Sequence, residues 1–241
     1  MNLYVPDYYP AFHCVASKCR HTCCAGWEID IDEEALARYA TLGGDFGRRV
    51  ERSISREGEP HFILTEDERC PLLNRDNLCD LILHEGEDAL CQICRDHPRF
   101  RNYFSGRVEM GLGLVCEEAA RVILSWPGSL RLIRLEGDEP ETPTEDERYL
   151  FAFREKWLSS IEETGPRARL METLIFRHLS DALYDGRLEE RADFIRRAFE
   201  EIAGGWTDGR LDTLVERARV FSDTVEYDDE ELERRIGGED D

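Results

Sequence analysis

The most constraining feature of this chain is that its cysteines are confined to the first half of its 241 residues. Nine cysteines occur before residue 117, and residues 117–241 contain none. If cysteines were placed at random, they would be spread along the whole chain. Cysteines that only fill a hydrophobic core would be spread in the same way as the other core residues. Their confinement to the first half of the chain therefore indicates that these cysteines serve one local function together. The nine are Cys14, Cys19, Cys23, Cys24, Cys70, Cys79, Cys91, Cys94 and Cys116.

Three interpretations of these cysteines compete. A disulfide framework fits poorly with an odd count and with an N-terminus, MNLYVPDYYPAFHC, that has neither the basic nor the apolar region of a secretory signal. Free buried thiols act as small hydrophobic side chains, which accounts for one or two cysteines only. Metal ligation accounts for the groups, because thiolates are soft ligands for zinc, iron–sulfur clusters and copper(I). We therefore predict that all nine are metal ligands in a cytoplasmic protein.

The spacing predicts a metal site without identifying the metal. Cys14-x4-Cys19-x3-Cys23-Cys24 places four thiols in one short segment, and Cys91-x2-Cys94 has a spacing that can chelate one ion or one cluster. Zinc ribbons usually show two matched pairs, and this chain has one. The C-x2-C-x2-C run of ferredoxins is absent. Neither the metal nor the number of centres follows from the pattern.

Two predicted hairpins carry further cysteines that could reach a metal centre. Cys70 and Cys79 flank a predicted hairpin whose tip is 74–77, so both thiols can reach one centre. Cys116 follows a second predicted hairpin that turns at residues 105–106. Three histidines beside cysteines are either ligands or hydrogen-bond partners of ligands, namely His13, His21 and His97.

The net charge of −22 limits the classes of partner. A nucleic-acid-binding protein needs a basic face that neutralises phosphates, and an acidic surface also disfavours anionic membranes. No run of 18 apolar residues is present, so no spanning helix is predicted. We predict no nucleic-acid or membrane partner, whereas a basic or lysine-bearing protein partner is electrostatically reasonable. The oligomeric state does not follow from the sequence.

Hydrophobic periodicity predicts the elements of the first half. Helices are predicted at 33–39, where Asp30 or Asp32 would be the cap, and then at 46–54, 84–94 and 116–125, with a strand at 61–65. Prolines and glycines interrupt the pattern over 126–143. The sequence therefore predicts a small Cys-rich N-terminal half with short hairpins.

The second half has the pattern of a helical bundle. Thr144-x-x-Glu147 is a capping box, and Pro166 opens the second of four amphipathic stripes. The predicted fold class is α+β and mostly helical, with a metal-binding N-terminal half and a C-terminal bundle. The predicted divisions are a metal-binding domain at 1–125, a linker at 126–143, a helical subdomain at 144–225 and an acidic tail at 226–241.

Four sequence blocks together resemble a known family. The blocks FHCVASKCRHTCCAGWEID, CPLLNRDNLC, CQICRDHPRF and GLVCEEAA resemble the cysteine-cluster proteins described as zinc- or iron-chelating. Within that family the chain looks most like the flagellin lysine-N-methylase branch. The features that carry this likeness are CC-x-GW, at Cys23, Cys24, Gly26 and Trp27, and C-x2-HPR, at Cys94, His97, Pro98 and Arg99. The resemblance spans about residues 8–125.

The resemblance implies a [4Fe–4S] centre and transfer of a methyl group from S-adenosylmethionine to lysine side chains of flagellin. The chain lacks the strand, Gly-rich turn and helix of a Rossmann methyltransferase, so a different mode of donor binding is expected. Arg95 and Arg99, with Arg101 nearby, could bind the carboxylate of the methyl donor or pair with local acidic residues. No catalytic residue is predicted. A non-enzymatic zinc- or iron-chelating module is the alternative function.

Overall fold

The computed structural model describes residues 1–181, 183, 187–207 and 209–225. Its fold is mixed α+β, as predicted. The predicted acidic tail, 226–241, lies outside the described residues. Along the chain the helices are α1 (Glu33–Tyr39), α2 (Gly44–Arg52), α3 (Asp80–Glu85), α4 (Gln92–Asp96), α5 (Glu117–Ser125), α6 (Glu145–Ser159), α7 (Pro166–His178), α8 (Leu188–Ala203) and α9 (Leu211–Val225). The strands are β1 (Asn2–Pro6), β2 (Ile54–Ser55), β3 (His61–Phe62), β4 (Arg99–Phe104), β5 (Arg107–Leu112) and β6 (Leu132–Glu136).

The chain forms two compact units that differ from the predicted divisions. One is Cys14–His97, called here the cysteine unit, and the other is Met1–His13 with Pro98–Asp241, called here the helical unit. The reason is that β1 pairs with β5 and β6, so the first residues join the helical unit, and the predicted linker contributes β6. The predicted assignment of metal binding to residues 1–125 stays a prediction.

The cysteine unit is built around one small apolar core. Its short helices and the two-stranded β2–β3 ladder bury mainly aliphatic and aromatic side chains. The core includes Ile29, Tyr39, Val50, Leu72 and Leu81, each no more than 2% exposed. Asp32 is the cap of α1, since its carboxylate accepts a hydrogen bond from the Ala35 N–H. The predicted helix at 33–39 is confirmed.

Two predicted elements of the cysteine unit are wrong. The helix predicted at 84–94 is absent, because α3 ends at Gly86, which has a positive φ of 87°, and α4 begins only after Cys91. A single 3₁₀ turn, Glu87–Ala89, lies between these helices. The strand predicted at 61–65 is limited to His61–Phe62. Both errors come from taking several residues around a short pattern as one continuous element.

The helical unit places a four-stranded sheet beside helices. The strand order is β4-β5-β1-β6, with β1 and β5 parallel and the other two pairs antiparallel. The predicted hairpin with its turn at residues 105–106 is confirmed, since Phe104 pairs with Arg107 across the turn. Helices α6 to α9 are the four helices that the amphipathic pattern predicted, and the predicted Thr144 capping box is present. No helix among the described residues is both long and apolar enough to cross a membrane.

The capping-box glutamate also holds the β4–β5 turn, which makes the stability of the helical unit depend on pH. Glu147 Oε1 accepts a hydrogen bond from the Ser105 N–H at 2.7 Å, and Oε2 accepts one from the Thr144 N–H at 2.8 Å. Burial raises the pKa of Glu147, but these hydrogen bonds outweigh burial and leave the pKa below its ordinary 4.5. The ionised Glu147 carboxylate therefore stabilises the helical unit fully above pH 4.5. This stabilisation is lost as the pH falls through the lower pKa that Glu147 has in the folded protein.

We expect Glu147→Gln to lower the free energy of unfolding by about 1–3 kcal/mol at neutral pH, because glutamine offers one acceptor oxygen to two N–H groups. The variant should also lose less stability than the wild type between about pH 5 and pH 3, since it lacks the titrating carboxylate. Urea unfolding at both pH values measures this. Glu145→Gln, an exposed change in the same helical turn, is the control. Equal pH dependence in the wild type and Glu147→Gln would contradict the role of the carboxylate.

Candidate metal centre

A short backbone ladder aligns the Cys23-Cys24 segment with Cys70. The Cys70 N–H donates to the Cys24 carbonyl oxygen at 2.8 Å, and Ala25 forms an antiparallel bridge with Arg69. The Gly26 N–H continues the ladder by donating to the Glu68 carbonyl at 2.9 Å. The two cysteine-bearing segments, far apart in sequence, therefore lie side by side.

Gly26 and Trp27 of the CC-x-GW block fix the direction of the chain after Cys24. Gly26 has φ of +82°, a conformation that residues with a Cβ atom rarely adopt. The next residue, Trp27, donates from its indole Nε1 to the Cys23 carbonyl oxygen at 2.8 Å. Its ring stacks on the His97 ring at 6.1 Å between centroids. Trp27 therefore joins the block around Cys23 to the residue that ends α4.

Replacing Gly26 with alanine is expected to lower the free energy of unfolding of the cysteine unit by about 1–2 kcal/mol, the typical cost of a left-handed backbone at a residue with a Cβ atom. Urea unfolding followed by tryptophan fluorescence measures this, because Trp27 is the adjacent residue. Asparagine tolerates this conformation better, so Gly26→Asn should lose less stability than Gly26→Ala. Equal losses in the two variants would exclude backbone conformation as the cause.

A tight turn brings Cys70 and Cys79 together, as the sequence predicted. The Asn74 side chain organises this turn, since its Oδ1 accepts hydrogen bonds from the Asp76 and Leu78 N–H groups at 2.9 and 3.1 Å. Pairing is limited to one bridge, between Leu73 and Cys79, because α3 begins directly after Cys79. The element is therefore a turn that leads into a helix rather than an extended hairpin.

Arg49 of α2 ties both sides of this turn together. Its guanidinium donates to the Asp80 carboxylate at 2.5 Å and to the Pro71 carbonyl oxygen at 2.7 Å. Asp80 also accepts a hydrogen bond from the Asn74 side-chain amide at 2.9 Å. The residues that follow Cys70 and Cys79 are thereby held by one arginine, which the sequence analysis did not identify. In the sequence, Asp80 could have been singled out only as the acidic residue directly after Cys79.

Cys91 and Cys94 lie at the start of α4, with Cys91 as the capping residue. The Cys94 thiol donates a hydrogen bond to the Cys91 sulfur, which lowers the pKa of Cys91 to about 7. The same hydrogen bond raises the pKa of Cys94 far above its ordinary value. The two cysteines are neighbours as predicted, although the long helix that was expected to carry them is absent.

Electrostatic interactions connect these segments into one group. The pKa of Cys94 is raised first by the hydrogen bond with Cys91, then by burial and by the charges of Cys91, Cys24 and Cys70. Burial raises the pKa of Cys70 to about 11, with Cys79 and Cys91 adding to the effect. Burial is also the largest cause of the raised pKa of Cys79. The hydrogen bond with Cys24 raises the pKa of Cys23. These six residues are called here the thiol cluster: Cys23, Cys24, Cys70, Cys79, Cys91 and Cys94.

The thiol cluster fits a soft metal by its chemistry. Each thiolate disfavours ionisation of its neighbours, and a bound cation would reverse that repulsion because metal ligation requires deprotonated sulfur. In the part of the chain that the structure describes, no group of three or more Cys, His, Asp or Glu side chains is arranged so that it could hold a metal ion. Within the Cys23–Cys24 pair and within the Cys91–Cys94 pair, one thiol hydrogen bonds to the sulfur of the other.

The other three cysteines occupy different surroundings. Cys14 is exposed, and its Sγ accepts a hydrogen bond from the Ala16 N–H at 3.4 Å. Cys19 is half-buried and follows a 3₁₀ turn, Ala16–Lys18. Cys116 belongs to the helical unit, where it caps α5 at the predicted place and packs against the apolar core. Their role as ligands stays a prediction.

The two predicted donor-binding arginines make local contacts in different units. Arg95 donates to the carbonyl oxygens of Asp88 and Leu90 in the cysteine unit. Arg99 donates from Nε to the Tyr9 hydroxyl at 2.7 Å in the helical unit, and its guanidinium lies over the Tyr9 and Phe12 rings. These contacts, to carbonyl oxygens, a hydroxyl and aromatic rings, test neither donor binding nor pairing with acidic residues, and both stay predictions.

Comparison with known proteins gives matches to part of this chain. A lysine-N-methylase of Salmonella typhimurium is 29% identical over 135 residues, which are 53% of this chain and 33% of that protein. A lysine-N-methylase of Salmonella choleraesuis matches with the same identity and coverage. The flagellar biosynthetic protein FliU of Salmonella muenchen is 28% identical over 135 residues, 53% of this chain and 79% of that protein. The chain spans about a third of the length of these lysine-N-methylases. No family model and no solved structure matches.

Proposed function

We propose that this chain takes part in N-methylation of protein lysine side chains, with flagellin as the acceptor and S-adenosylmethionine as the methyl donor. The observation that carries the proposal is the 135-residue similarity to lysine-N-methylases. The proposed location is the cytoplasm, whose reducing conditions keep thiols available for metal. The acidic character of the chain, with a net charge of −22, favours a lysine-bearing partner.

The thiol cluster is the proposed metal centre, with an iron–sulfur cluster as its occupant. Six thiols from four segments exceed the four that one [4Fe–4S] cluster uses, so the cluster residues suffice for one such centre. When bound, such a centre would supply the site that engages the methyl donor. The protein's part is to hold the sulfurs, which the Cys24–Cys70 ladder and the Arg49 contacts do.

A structural zinc module is the second candidate, and one observation favours it. The Cys91-x2-Cys94 pair at the start of α4 has the ligand spacing that structural zinc sites use. In this case the cysteine unit would be stabilised by zinc and would bind no methyl donor.

The first experiment measures iron, zinc and acid-labile sulfide in the full chain purified without oxygen, together with its visible spectrum. About four irons and four sulfides per chain support the iron–sulfur centre. Stoichiometric zinc without sulfide supports the structural module and removes the basis for cluster chemistry.

The second experiment tests methyl transfer directly. The full chain is incubated with purified flagellin and S-adenosylmethionine that carries a labelled methyl group. Label on flagellin lysines supports the function, and flagellin with acetylated lysines is the control substrate. Because the chain has only two lysines, Lys18 and Lys156, a Lys18→Arg, Lys156→Arg double variant removes self-methylation from the signal. No transfer to flagellin by a metal-loaded chain would overturn the proposed substrate.

A further inference from the structure

Side chains bind the carbonyl oxygens of all three residues that lead into Cys91, residues 88–90. The Asp88 carbonyl oxygen accepts hydrogen bonds from Arg38 at 2.9 Å and from Arg95 at 3.2 Å. The Leu90 carbonyl oxygen accepts one from Arg95 at 2.9 Å. Ala89 within this segment is 5% exposed, so its carbonyl oxygen also needs a partner inside the protein. The density of contacts therefore indicates that the exact position of this segment matters.

The two ends of α1 supply the remaining contacts. At its start, Asp32 accepts from the Ala35 N–H through Oδ1 at 2.9 Å and from the Gln92 N–H through Oδ2 at 2.6 Å. One carboxylate thus caps α1 and also binds the first N–H of α4. At the end of α1, the Tyr39 hydroxyl donates to the Ala89 carbonyl oxygen at 3.0 Å. Tyr39 is 1% exposed, so this hydrogen bond is shielded from water.

These contacts bracket Cys91 on both sides. Ala89 is two residues before Cys91, and Gln92 is the residue directly after it. Fixing a carbonyl on one side and an N–H on the other restrains the backbone that carries the Cys91 sulfur. Cys94 follows within the same five-residue helix, so the restraint extends to both sulfurs of the pair.

We propose that Asp32 and Tyr39 are positioning residues that hold Cys91 and Cys94 ready to bind a metal. This inference rests on the proposed metal centre, and it adds that α1 holds the Cys91–Cys94 pair in place before metal binds. In known metal sites, residues that hold the ligands affect metal affinity by about 10- to 100-fold.

Asp32→Asn separates positioning from helix capping. Asparagine caps a helix about as well as aspartate, so α1 keeps its cap. It has only one side-chain oxygen, so the Gln92 N–H loses its acceptor. Asp45→Asn is the matched control, because Asp45 is in the first turn of α2 and its side chain is 99% exposed. Tyr39→Phe removes only the hydroxyl and keeps the ring against Phe62. Its control is Tyr149→Phe, at a residue 63% exposed.

The test uses cobalt(II) as the probe on the reduced full chain, with binding followed by the thiolate-to-cobalt absorption. We expect Asp32→Asn and Tyr39→Phe to weaken cobalt binding by about 10- to 100-fold, and both controls to bind as the wild type does. In the chain without added metal, hydrogen exchange at the Gln92 amide should be at least about tenfold faster in Asp32→Asn.

The possible failures are distinguishable. A wild-type chain that binds no cobalt overturns the proposed metal centre and this inference with it. A wild-type chain that binds cobalt no more tightly than Asp32→Asn and Tyr39→Phe overturns the positioning role alone. Unchanged exchange at Gln92 in Asp32→Asn also overturns it, because the restraint would then be absent before metal binds.

Discussion

Replacing Cys94 with alanine is expected to abolish metal loading of the cysteine unit. The Cys94 thiol is the member of the thiol cluster that interacts with Cys91, Cys24 and Cys70 together. Binding of a structural metal supplies about 10–16 kcal/mol, and one of four thiolates accounts for roughly a quarter of it. Loss of about 2.5–4 kcal/mol lowers metal affinity by about 100- to 1,000-fold. Metal analysis after dialysis against a chelator measures the effect.

The same variant should also destabilise the cysteine unit, because metal binding and folding are coupled in small metal-dependent units. Cys14→Ala is the matched control, since Cys14 is exposed and precedes the thiol cluster in the same unit. If the thiol cluster is the centre, this control keeps its metal. Full metal occupancy in Cys94→Ala would contradict the assignment of Cys94 as a ligand.

Local elements with complete chemical signals could be predicted from the sequence. The Thr144 capping box, the hairpin that turns at residues 105–106 and the start of α5 after Cys116 were all predicted and are all present. Each depends on interactions within a few residues, so the sequence window contains all the information. The helix predicted at 84–94 failed for the opposite reason. There, Gly86 and the contacts made by α1 determine the course of the backbone.

The candidate site could be predicted as a set of residue types but not as an arrangement. Cysteine spacing correctly anticipated that Cys70 and Cys79 would be neighbours, because one turn joins them. It could not anticipate that Cys24 pairs with Cys70, since that ladder joins segments more than 40 residues apart in sequence. Nor could it identify Arg49 or Tyr39, whose contacts exist only after the helices pack. Long-range contacts of this kind leave no periodic trace in a single sequence.

A buried carboxylate in the helical unit was also invisible in the sequence. Glu109 of β5 is 0% exposed, and Arg154 of α6 donates to both of its carboxylate oxygens at 2.5 and 2.8 Å. Arg107 lies 2.6 Å from the same carboxylate. Glu109 stands between Val108 and Met110 in the sequence, and Arg154 of α6 covers it in the fold. The sheet and α6 are thus joined by a charge cluster as well as by the edge-on contact of the Phe104 and Phe151 rings.

Replacing Glu109 with glutamine should lower the free energy of unfolding of the helical unit by about 3–5 kcal/mol, because the change leaves the buried Arg154 guanidinium without a charged partner. Glutamine keeps the shape of the side chain, so packing changes little and the loss reports the charge. Urea unfolding followed by circular dichroism measures it. Glu136→Gln, at an exposed position of β6 in the same sheet, should change stability by less than about 0.5 kcal/mol.

A loss in Glu109→Gln that is no larger than in Glu136→Gln would mean that water or a rearranged Arg154 compensates for the missing charge. A second variant separates charge from packing. Changing both Glu109 and Arg154 to methionine removes the unpaired charge, and replacing a buried ion pair with apolar side chains is often neutral or stabilising. We therefore expect the double variant to be more stable than Glu109→Gln. The opposite order would show that the pair contributes through its specific hydrogen bonds rather than through the cost of leaving one charge unpaired.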